Sequence, residues 1–368
     1  MSHRLFLYGT LCDPDLFGIV AGEPLEARIA ILEGARAVLA EGEAFPVLID
    51  SEGSAGGVVV EVGDAAKARL DFYEFGFLCE AREVRLSEGR VSAQVYVPEA
   101  GQWAEGGEWS LAEWQGSRGP LARETARAFM GLFGAMSPEQ AARTYPQVQM
   151  RAASRLRAVS DPSPEVAPKI AHRKVVPGRT EQPYIDYFAV REDWLAFPRF
   201  GGGESPMVKR TAFMGGDAVT VLPYDPATDN VLLVRQFRHG AFCRGDPNPW
   251  TLEPAAGRID PGETPEDCAL RELAEETGVA GGMLHFVGRY YPSPGAYSEY
   301  LYSYVAIADL SGRDRGVAGL DSEDEDIMAH VLPFEDAMAM IETGAANTGP
   351  LILSLGWLGM NRERLRGG

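Results

Sequence analysis

A group of acidic residues with regular spacing stands out in the second half of this 368-residue chain. Glu272, Glu275 and Glu276 are three and four positions apart, a spacing that places side chains on one helix face. Carboxylate oxygens without His or Cys are hard ligands that favour Mg²⁺ or Mn²⁺. The pattern therefore predicts a divalent-cation site, with Arg271 able to hold Glu263 and part of the cluster in place.

The flanking residues predict the helix that would position these carboxylates. Thr264 can cap its start, Pro265 fits the first turn and Gly278 fits the position after the last turn. The alternative is a solvated acidic helix face, but the loop glycines and the offset of Glu263 argue against it. Clustered carboxylates with Mg²⁺ suit diphosphate chemistry, because the cations neutralise phosphate oxygens and lower the pKa of a bound water. A substrate that contains a pyrophosphate is therefore expected.

The stretch from Gly257 to Val279 fits the pattern G-x5-E-x7-R-E-U-x-E-E-x-G-U at every fixed position. On that ground it is identified as a Nudix box. The resemblance implies a Nudix α/β/α sandwich that hydrolyses nucleoside diphosphates linked to another moiety. Further stretches resemble the ADP-ribose pyrophosphatase branch: 215–226 with 231–238, 250–257, the acidic loop 319–327, and Pro294, which lies 16 residues after Gly278. The resemblance as a whole covers about 170–362.

This resemblance assigns roles at the metal site. The metal ligands that it implies are a backbone carbonyl and two carboxylates, those of Ala256, Glu272 and Glu276. Glu275 would support them. In the acidic loop, Glu323 is expected to act as the general base or to orient the water, with Glu325 as the second choice. The alternative for Glu323 is a solvated loop carboxylate.

The same resemblance implies substrate contacts. Arg238 and Arg210 are expected to bind phosphate oxygens, because a guanidinium fork matches their geometry. The alternative for Arg238 is an ion pair with a surface acid. Tyr184 and Tyr187 could stack on adenine, although strand aromatics more often belong to a core. The leading hypothesis is Mg²⁺-dependent hydrolysis of ADP-ribose to AMP and ribose 5-phosphate, and the rivals are another nucleoside diphosphate sugar or a dinucleotide.

The start of the chain resembles a different family. The turn residues that carry this likeness are Tyr8, Gly9, Thr10 and Leu11, which open γ-glutamylcyclotransferase-like (AIG2-like) proteins. In that family the turn amides bind the γ-glutamyl group, and the acid/base glutamate corresponds to Glu74. Phe75 stands where the family has glycine, and Cys79 lies where a tyrosine usually precedes Arg82. These departures predict weak or no release of 5-oxoproline, and catalysis, ligand binding and scaffolding all remain open for this region.

Periodicity and breaker residues predict the elements and the domain limits. Strands are predicted at 4–8, 57–62, 184–190, 218–223, 231–236 and 300–306, a hairpin over 83–97, and helices over 64–74 and from 110, 137, 264 and 334. The predicted fold class is α/β (α+β), with a small mixed β-barrel-like domain over 1–105 and a Nudix domain over 169–368. Residues 106–168 are predicted as a helical connector followed by a proline-rich linker.

The composition limits the kinds of partner that this protein is expected to bind. With 53 acidic against 34 basic residues, the net charge of −19 opposes binding to nucleic acid or to an anionic membrane. The sequence contains no run of about 18 apolar residues, the length that a membrane span requires. We therefore expect a cytoplasmic protein whose four cysteines are reduced. The branch resemblance implies a homodimer formed through the Nudix domain. Fused proteins of this kind are also associated with tellurite resistance, which indicates no chemistry.

Overall fold

The structure is a computed structural model that describes residues 1–161, 174–313 and 326–367, with the backbone of Val317–Ala318. The chain forms two compact units, Met1–Pro162 and Ser163–Gly368. Within the described ranges, no helix combines the length and the apolar character that crossing a membrane demands.

Five strands of the first unit close into a ring. The strands of this unit are β1 (Ser2–Leu7), β2 (Ala27–Ala40), β3 (Pro46–Gly63), β4 (Leu78–Leu86), β5 (Gly89–Val97) and β6 (Glu105–Glu108). Their order is β3-β1-β5-β4-β2, β2 pairs back with β3, and β6 is added beside β2. A closed ring leaves few free sheet edges. Its buried interior includes Phe6, Val84 and Val95.

Helices cover part of this barrel. They are α1 (Pro14–Ala21), α2 (Asp64–Tyr73), α3 (Leu111–Ser117), α4 (Gly119–Met130) and α5 (Pro138–Ser160). Ser137 caps α5 in a full capping box with Gln140, as the sequence pattern predicts. The helices of the predicted connector are not isolated: α4 packs against α1, α2 and α5 within the first unit.

The second unit contains two sheets. Its strands are β7 (Val176–Ile185), β8 (Ala189–Ala196), β9 (Val208–Met214), β10 (Ala218–Asp225), β11 (Asn230–Phe237), β12 (Trp250–Glu253), β13 (Ala255–Arg258), β14 (Met283–Tyr290), β15 (Leu301–Ile307), β16 (Val317–Ala318) and β17 (Ile327–Pro333). Strands β7, β8 and β9 form an antiparallel sheet, and the larger sheet has the order β14-β15-β10-β11-β17-β16, with β12 beside β11 and β13 beside β10.

Helices cover both faces of the larger sheet. The helices of this unit are α6 (His239–Arg244), α7 (Pro265–Thr277), α8 (Phe334–Thr343) and α9 (Gly349–Arg366). Leu273 of α7 packs on one face with Val219 and Leu232. Leu355 of α9 packs on the other face with Leu233. The predicted fold class, a barrel-like α/β domain followed by an α/β/α sandwich, is confirmed.

One predicted element is wrong in detail. The predicted strand over 184–190 is a hairpin, because β7 ends at Ile185 and β8 begins at Ala189. The Asp186 amide bonds to the Phe188 carbonyl at 2.8 Å, and the Asp186 side chain accepts the Tyr187 amide at 2.9 Å. Aspartate closes a turn in this way even between strand-forming residues. The proline-rich linker and the acidic loop lie outside the described residues.

Candidate functional site

Local sequence signals fix the position of helix α7. The Thr264 side chain accepts the Asp267 amide at 3.1 Å, Pro265 begins the helix, and Gly278 ends it with a φ of 66°. Glycine adopts this left-handed conformation without the steric cost of a Cβ. Because both ends of α7 are fixed, the glutamates of its last two turns have a defined position along the helix, beside β13.

Arg271 is the centre of the acidic cluster. Its Nε and Nη2 donate to the two carboxylate oxygens of Glu263 at 2.9 and 3.1 Å. Its Nη1 donates to Glu272 Oε1 at 2.6 Å and to Glu275 Oε2 at 3.0 Å. Burial opposes ionisation of Glu263, but the Arg271 hydrogen bonds hold the pKa of that carboxyl below its usual value. The arginine therefore supplies the positive charge that keeps these carboxylates together.

Two carboxylates of α7 converge on strand β13. Glu276 is 2% exposed, and its Oε2 accepts the Ala256 amide at 2.9 Å. The Glu272 carboxylate lies so close to Gly257 that any Cβ there would collide with it. Glycine is therefore required at this position. The Ala256 carbonyl belongs to the same short segment, so the expected ligands come from two elements that are in contact, α7 and β13.

The expected ligands at α7 and β13 have the chemistry that a divalent cation requires. The donor set consists of oxygen atoms only, which fits Mg²⁺ or Mn²⁺. In the described part of the chain, no three His, Cys, Asp or Glu side chains surround one point. The Arg271 guanidinium bridges Glu272 and Glu275, while Glu276 turns to the Ala256 amide. A site with Glu272, Glu276 and one backbone carbonyl is compatible with this arrangement.

A second charged group lies next to the segment and was not identified from the sequence. The Arg258 guanidinium lies over the Tyr187 ring at 4.2 Å and the Phe188 ring at 5.1 Å. Glu299 faces Arg258 and hydrogen bonds with Tyr297; burial raises the pKa of Glu299 although these partners oppose the rise. Arg258 occupies a variable position of the motif, so the only signal for it was its place beside Gly257.

The expected substrate contacts have different surroundings. Arg238 donates from Nε and Nη2 to the two oxygens of Glu253 at 2.9 and 2.7 Å, and it also faces Glu299. Arg210 lies on β9, and its Nη1 donates to the Lys209 carbonyl at 2.9 Å. Tyr184 is 54% exposed on β7. The expected base residues Glu323 and Glu325 lie outside the described residues.

In the first unit, Glu74 follows directly after α2. Burial raises the pKa of its carboxyl to about 7. Four tyrosines face this carboxyl, namely Tyr8, Tyr73, Tyr96 and Tyr145. No ion pair to Glu74 is found in the described ranges. The group is therefore surrounded by hydroxyls and apolar rings and lacks a cation, unlike the glutamates around Arg271.

The turn Tyr8–Leu11 lies at the end of β1, with the Tyr8 hydroxyl donating to the Tyr96 carbonyl at 2.9 Å. A Cβ on Gly9 would lie 2.9 Å from Pro46, so the backbone passes close to the β3 strand. Directly after the turn, the Cys12 amide donates to the Gly9 carbonyl at 3.0 Å.

Comparison with known proteins identifies two families. The family described as NUDIX domain matches residues 214–355, and the family described as gamma-glutamyl cyclotransferase, AIG2-like, matches residues 5–113. Both resemblances predicted from the sequence are thereby confirmed.

Three curated relatives match the second half of the chain. The ADP-ribose pyrophosphatase of Haemophilus influenzae is 35% identical over 185 residues, which are 50% of this chain and 85% of the relative. The ADP-ribose pyrophosphatase of Escherichia coli strain K12 is 36% identical, covering 45% and 79%. The GDP-mannose pyrophosphatase of Enterobacter sp. strain 638 is 35% identical, covering 47% and 88%. This chain is a Nudix hydrolase that carries an AIG2-like γ-glutamyl cyclotransferase domain ahead of its catalytic unit.

Proposed function

We propose that the second unit hydrolyses ADP-ribose to AMP and ribose 5-phosphate with the help of Mg²⁺. The observation that carries this proposal is the convergence of Glu272 and Glu276 on the segment Ala256–Gly257. Two of the relatives bear the name ADP-ribose pyrophosphatase. The NUDIX family match, over residues 214–355, contains this convergence.

The metal would be held by Glu272, Glu276 and the Ala256 carbonyl. When bound, a divalent cation neutralises phosphate oxygens and acidifies water. Arg271 keeps Glu263 ionised and aligns Glu272 and Glu275 through its hydrogen bonds. In this proposal Glu275 supports the ligands and does not bind the metal itself.

The substrate would lie across the Arg258 side of this segment. The ring contacts with Tyr187 and Phe188 fix the Arg258 guanidinium, which suits a phosphate oxygen. Arg238 faces the same region, with Glu253 orienting its fork. Arg210 and Tyr184 remain proposed contacts, and both lie on the smaller sheet.

Glu323 is proposed to activate or orient the attacking water, with Glu325 as the alternative. Glu323→Gln should lower kcat with little effect on metal affinity, because a base acts on water and does not hold the ion. Glu325→Gln is the matched control. A larger loss of kcat in Glu325→Gln than in Glu323→Gln would assign the role of base to Glu325 instead.

A substrate panel on the full chain tests the main proposal. ADP-ribose, GDP-mannose and a dinucleotide would be compared with Mg²⁺, with Mn²⁺ and with a chelator, and AMP and ribose 5-phosphate would be measured directly. We expect ADP-ribose to give the highest kcat/KM. A preference for GDP-mannose would favour the other activity represented among the relatives.

We propose a second activity for the first unit, the release of 5-oxoproline from γ-glutamyl compounds. The observation that favours it is the near-neutral Glu74 beside the Tyr8 turn, since a pKa of about 7 suits both proton uptake and proton return. The test is 5-oxoproline release from γ-glutamyl dipeptides by the full chain. Release that persists in Glu74→Gln, or its absence in the unmodified chain, would exclude the assignment.

We also propose that the second unit forms a homodimer through its smaller sheet. This sheet carries exposed apolar side chains, including Val176 at 41%, Tyr184 at 54% and Phe213 at 52%. Exposed apolar patches commonly mark interfaces. Sedimentation of the full chain at micromolar concentration tests the proposal, and a monomer would reject it.

A further inference from the structure

Helix α4 is bonded or packed to two separate parts of the candidate cyclotransferase site, the segment that follows the Tyr8–Leu11 turn and the end of α2. The family match ends at residue 113, so α4 lies outside it. Two side chains of α4 make these contacts, those of Arg123 and Phe129. They are six positions apart, which corresponds to roughly 9 Å along a helix axis.

Arg123 fixes α4 to the residue that closes the turn. Its Nε and Nη2 donate to the two carboxylate oxygens of Asp13 at 2.9 and 2.6 Å. The Asp13 side chain is buried and also accepts the Leu16 amide at 2.8 Å. The Asp13 amide donates to the Thr10 carbonyl at 3.0 Å. Because Asp13 is bonded both to Arg123 and to the turn backbone, it transmits the position of α4 to the turn.

Phe129 fixes α4 to the residues that precede Glu74. The centroid of its ring lies 5.3 Å from that of Phe72 and 6.2 Å from that of Tyr73, the last two residues of α2. Phe72 and Phe129 are both buried. The Glu74 amide continues the helical bonding of α2 by donating to the Leu70 carbonyl at 2.9 Å. The backbone position of Glu74 therefore depends on a ring that α4 supplies.

Hydrogen bonds of the barrel join the turn to α2 by a second route. The Tyr8 hydroxyl donates to the Tyr96 carbonyl at 2.9 Å. The Tyr96 hydroxyl donates to Asp71 at 2.7 Å, and Asp71 lies on α2 three residues before Glu74. The turn and Glu74 are thus connected once through β5 and once through α4. Their spacing depends on both connections.

We propose that Arg123 and Phe129 are positioning residues of the first unit, through which α4 sets the place of the Tyr8–Leu11 turn relative to Glu74. The functional part of this inference rests on the proposed release of 5-oxoproline. That reaction requires the substrate to be held at the turn while Glu74 exchanges protons with it, so a small displacement of either part lowers the rate. The working site therefore includes a helix beyond the matched segment 5–113.

The experiment changes each contact of α4 separately in the full chain. Arg123→Lys keeps the positive charge and removes the two-pronged hydrogen bond. Asp13 retains the Gln115 amide, which donates to it at 2.7 Å, and the Leu16 amide, so we expect this variant to fold. Phe129→Leu keeps an apolar side chain and removes the ring.

Each variant has a matched control on the same helix. Arg127→Lys makes the same change at an arginine that is 57% exposed and pairs with Glu124. Met130→Leu makes a buried apolar change next to Phe129 and preserves the side-chain volume. Neither control alters a contact with Asp13 or with the end of α2 that the structure describes.

Hydrogen–deuterium exchange, resolved at single amides, reports on the two contacts independently of any activity. Arg123→Lys should speed exchange of the Cys12 and Asp13 amides about tenfold and leave the Glu74 amide unchanged, because only the turn is loosened. Phe129→Leu should speed exchange of the Glu74 amide about tenfold and leave the turn unchanged. Both controls should match the unmodified chain. A side chain that only stabilised the fold as a whole would affect both places equally.

The kinetics of 5-oxoproline release should divide in the same way. Arg123→Lys should raise KM for a γ-glutamyl dipeptide about tenfold with little change in kcat, because the turn holds the substrate. Phe129→Leu should lower kcat about tenfold with little change in KM, because Glu74 exchanges the protons. The two controls should change neither constant.

The outcomes separate this inference from the cyclotransferase proposal. The expected exchange pattern in a chain that releases no 5-oxoproline supports the role of α4 and rejects the activity. Release whose KM and kcat match the controls in both variants supports the activity and overturns the inference. Exchange that matches the controls, or that rises equally in both places, also overturns it. If Arg123→Lys does not fold, Gln115→Leu, which removes another donor to Asp13, should speed exchange at the turn alone.

Discussion

Both candidate sites contain glutamates, but the surroundings of these glutamates are opposite in character. Around α7, the Arg271 guanidinium contacts Glu263, Glu272 and Glu275, so each of these carboxylates has a cationic partner. Glu74 has four tyrosines around it and a pKa raised to about 7 by burial. A charged carboxylate can hold a cation, whereas a near-neutral one can exchange protons. The comparison shows that the residue type alone does not determine the role of a glutamate.

The largest expected effect separates the two sites. Glu276→Gln should reduce Mg²⁺-dependent hydrolysis of ADP-ribose by roughly 10³-fold, because one ligand charge is lost. It should leave the Glu74 titration unchanged. Glu342→Gln, an exposed change on α8, is the control. Steady-state kinetics with metal titration measures the loss, and full turnover in Glu276→Gln would remove the assignment of this metal site.

The second prediction concerns the Arg271 guanidinium, the positive charge that distinguishes the α7 site. Arg271→Met should lower kcat/KM by about 10²-fold, because Glu263, Glu272 and Glu275 lose their shared partner and repel one another. The control is Arg244→Met, whose side chain is 82% exposed. Equal activity of the two variants would contradict the positioning role of Arg271.

The third prediction concerns the pH dependence of stability at Glu74. The folded pKa of about 7 lies above the usual value of 4.5, so the folded state binds more protons between these values and stability falls as pH rises through them. Glu74→Gln should remove this loss, which we expect to reach about 2 kcal/mol. Denaturant unfolding at pH 4.5 and pH 7.5 measures it. An unchanged difference between the two pH values in Glu74→Gln would contradict a buried, near-neutral Glu74.

The smallest expected effect concerns the close approach at β13. Gly257→Ala places a methyl group against the Glu272 carboxylate, which must then move away from the Ala256–Gly257 segment. We expect about a tenfold loss of kcat/KM for ADP-ribose hydrolysis, or about 1.4 kcal/mol. Gly240→Ala is the control, because a Cβ there meets open space. Equal kinetics in the two variants would show that Glu272 does not need this position.

The α7 site was largely predictable because its determinants are local. Thr264, Pro265 and Gly278 set the ends of one helix, and a helix of known ends places its glutamates by period alone. The AIG2-like and Nudix assignments depended on short contiguous motifs in the same way. The strand over 184–190 was predicted wrongly, because strand propensity favoured a continuous element while the Asp186 side chain closes a turn.

The amino-acid sequence by itself determined the two families, the helix that carries Glu272 and Glu276, and the Tyr8–Leu11 turn. Tertiary structure alone decided what surrounds these groups. Arg258 reaches Tyr187 from another sheet, and Phe129 reaches Tyr73 from a helix 56 residues away in the chain. The physical reason is that helix period and turn chemistry act over a few residues. Desolvation and the pairing of charges depend on elements that only folding brings together.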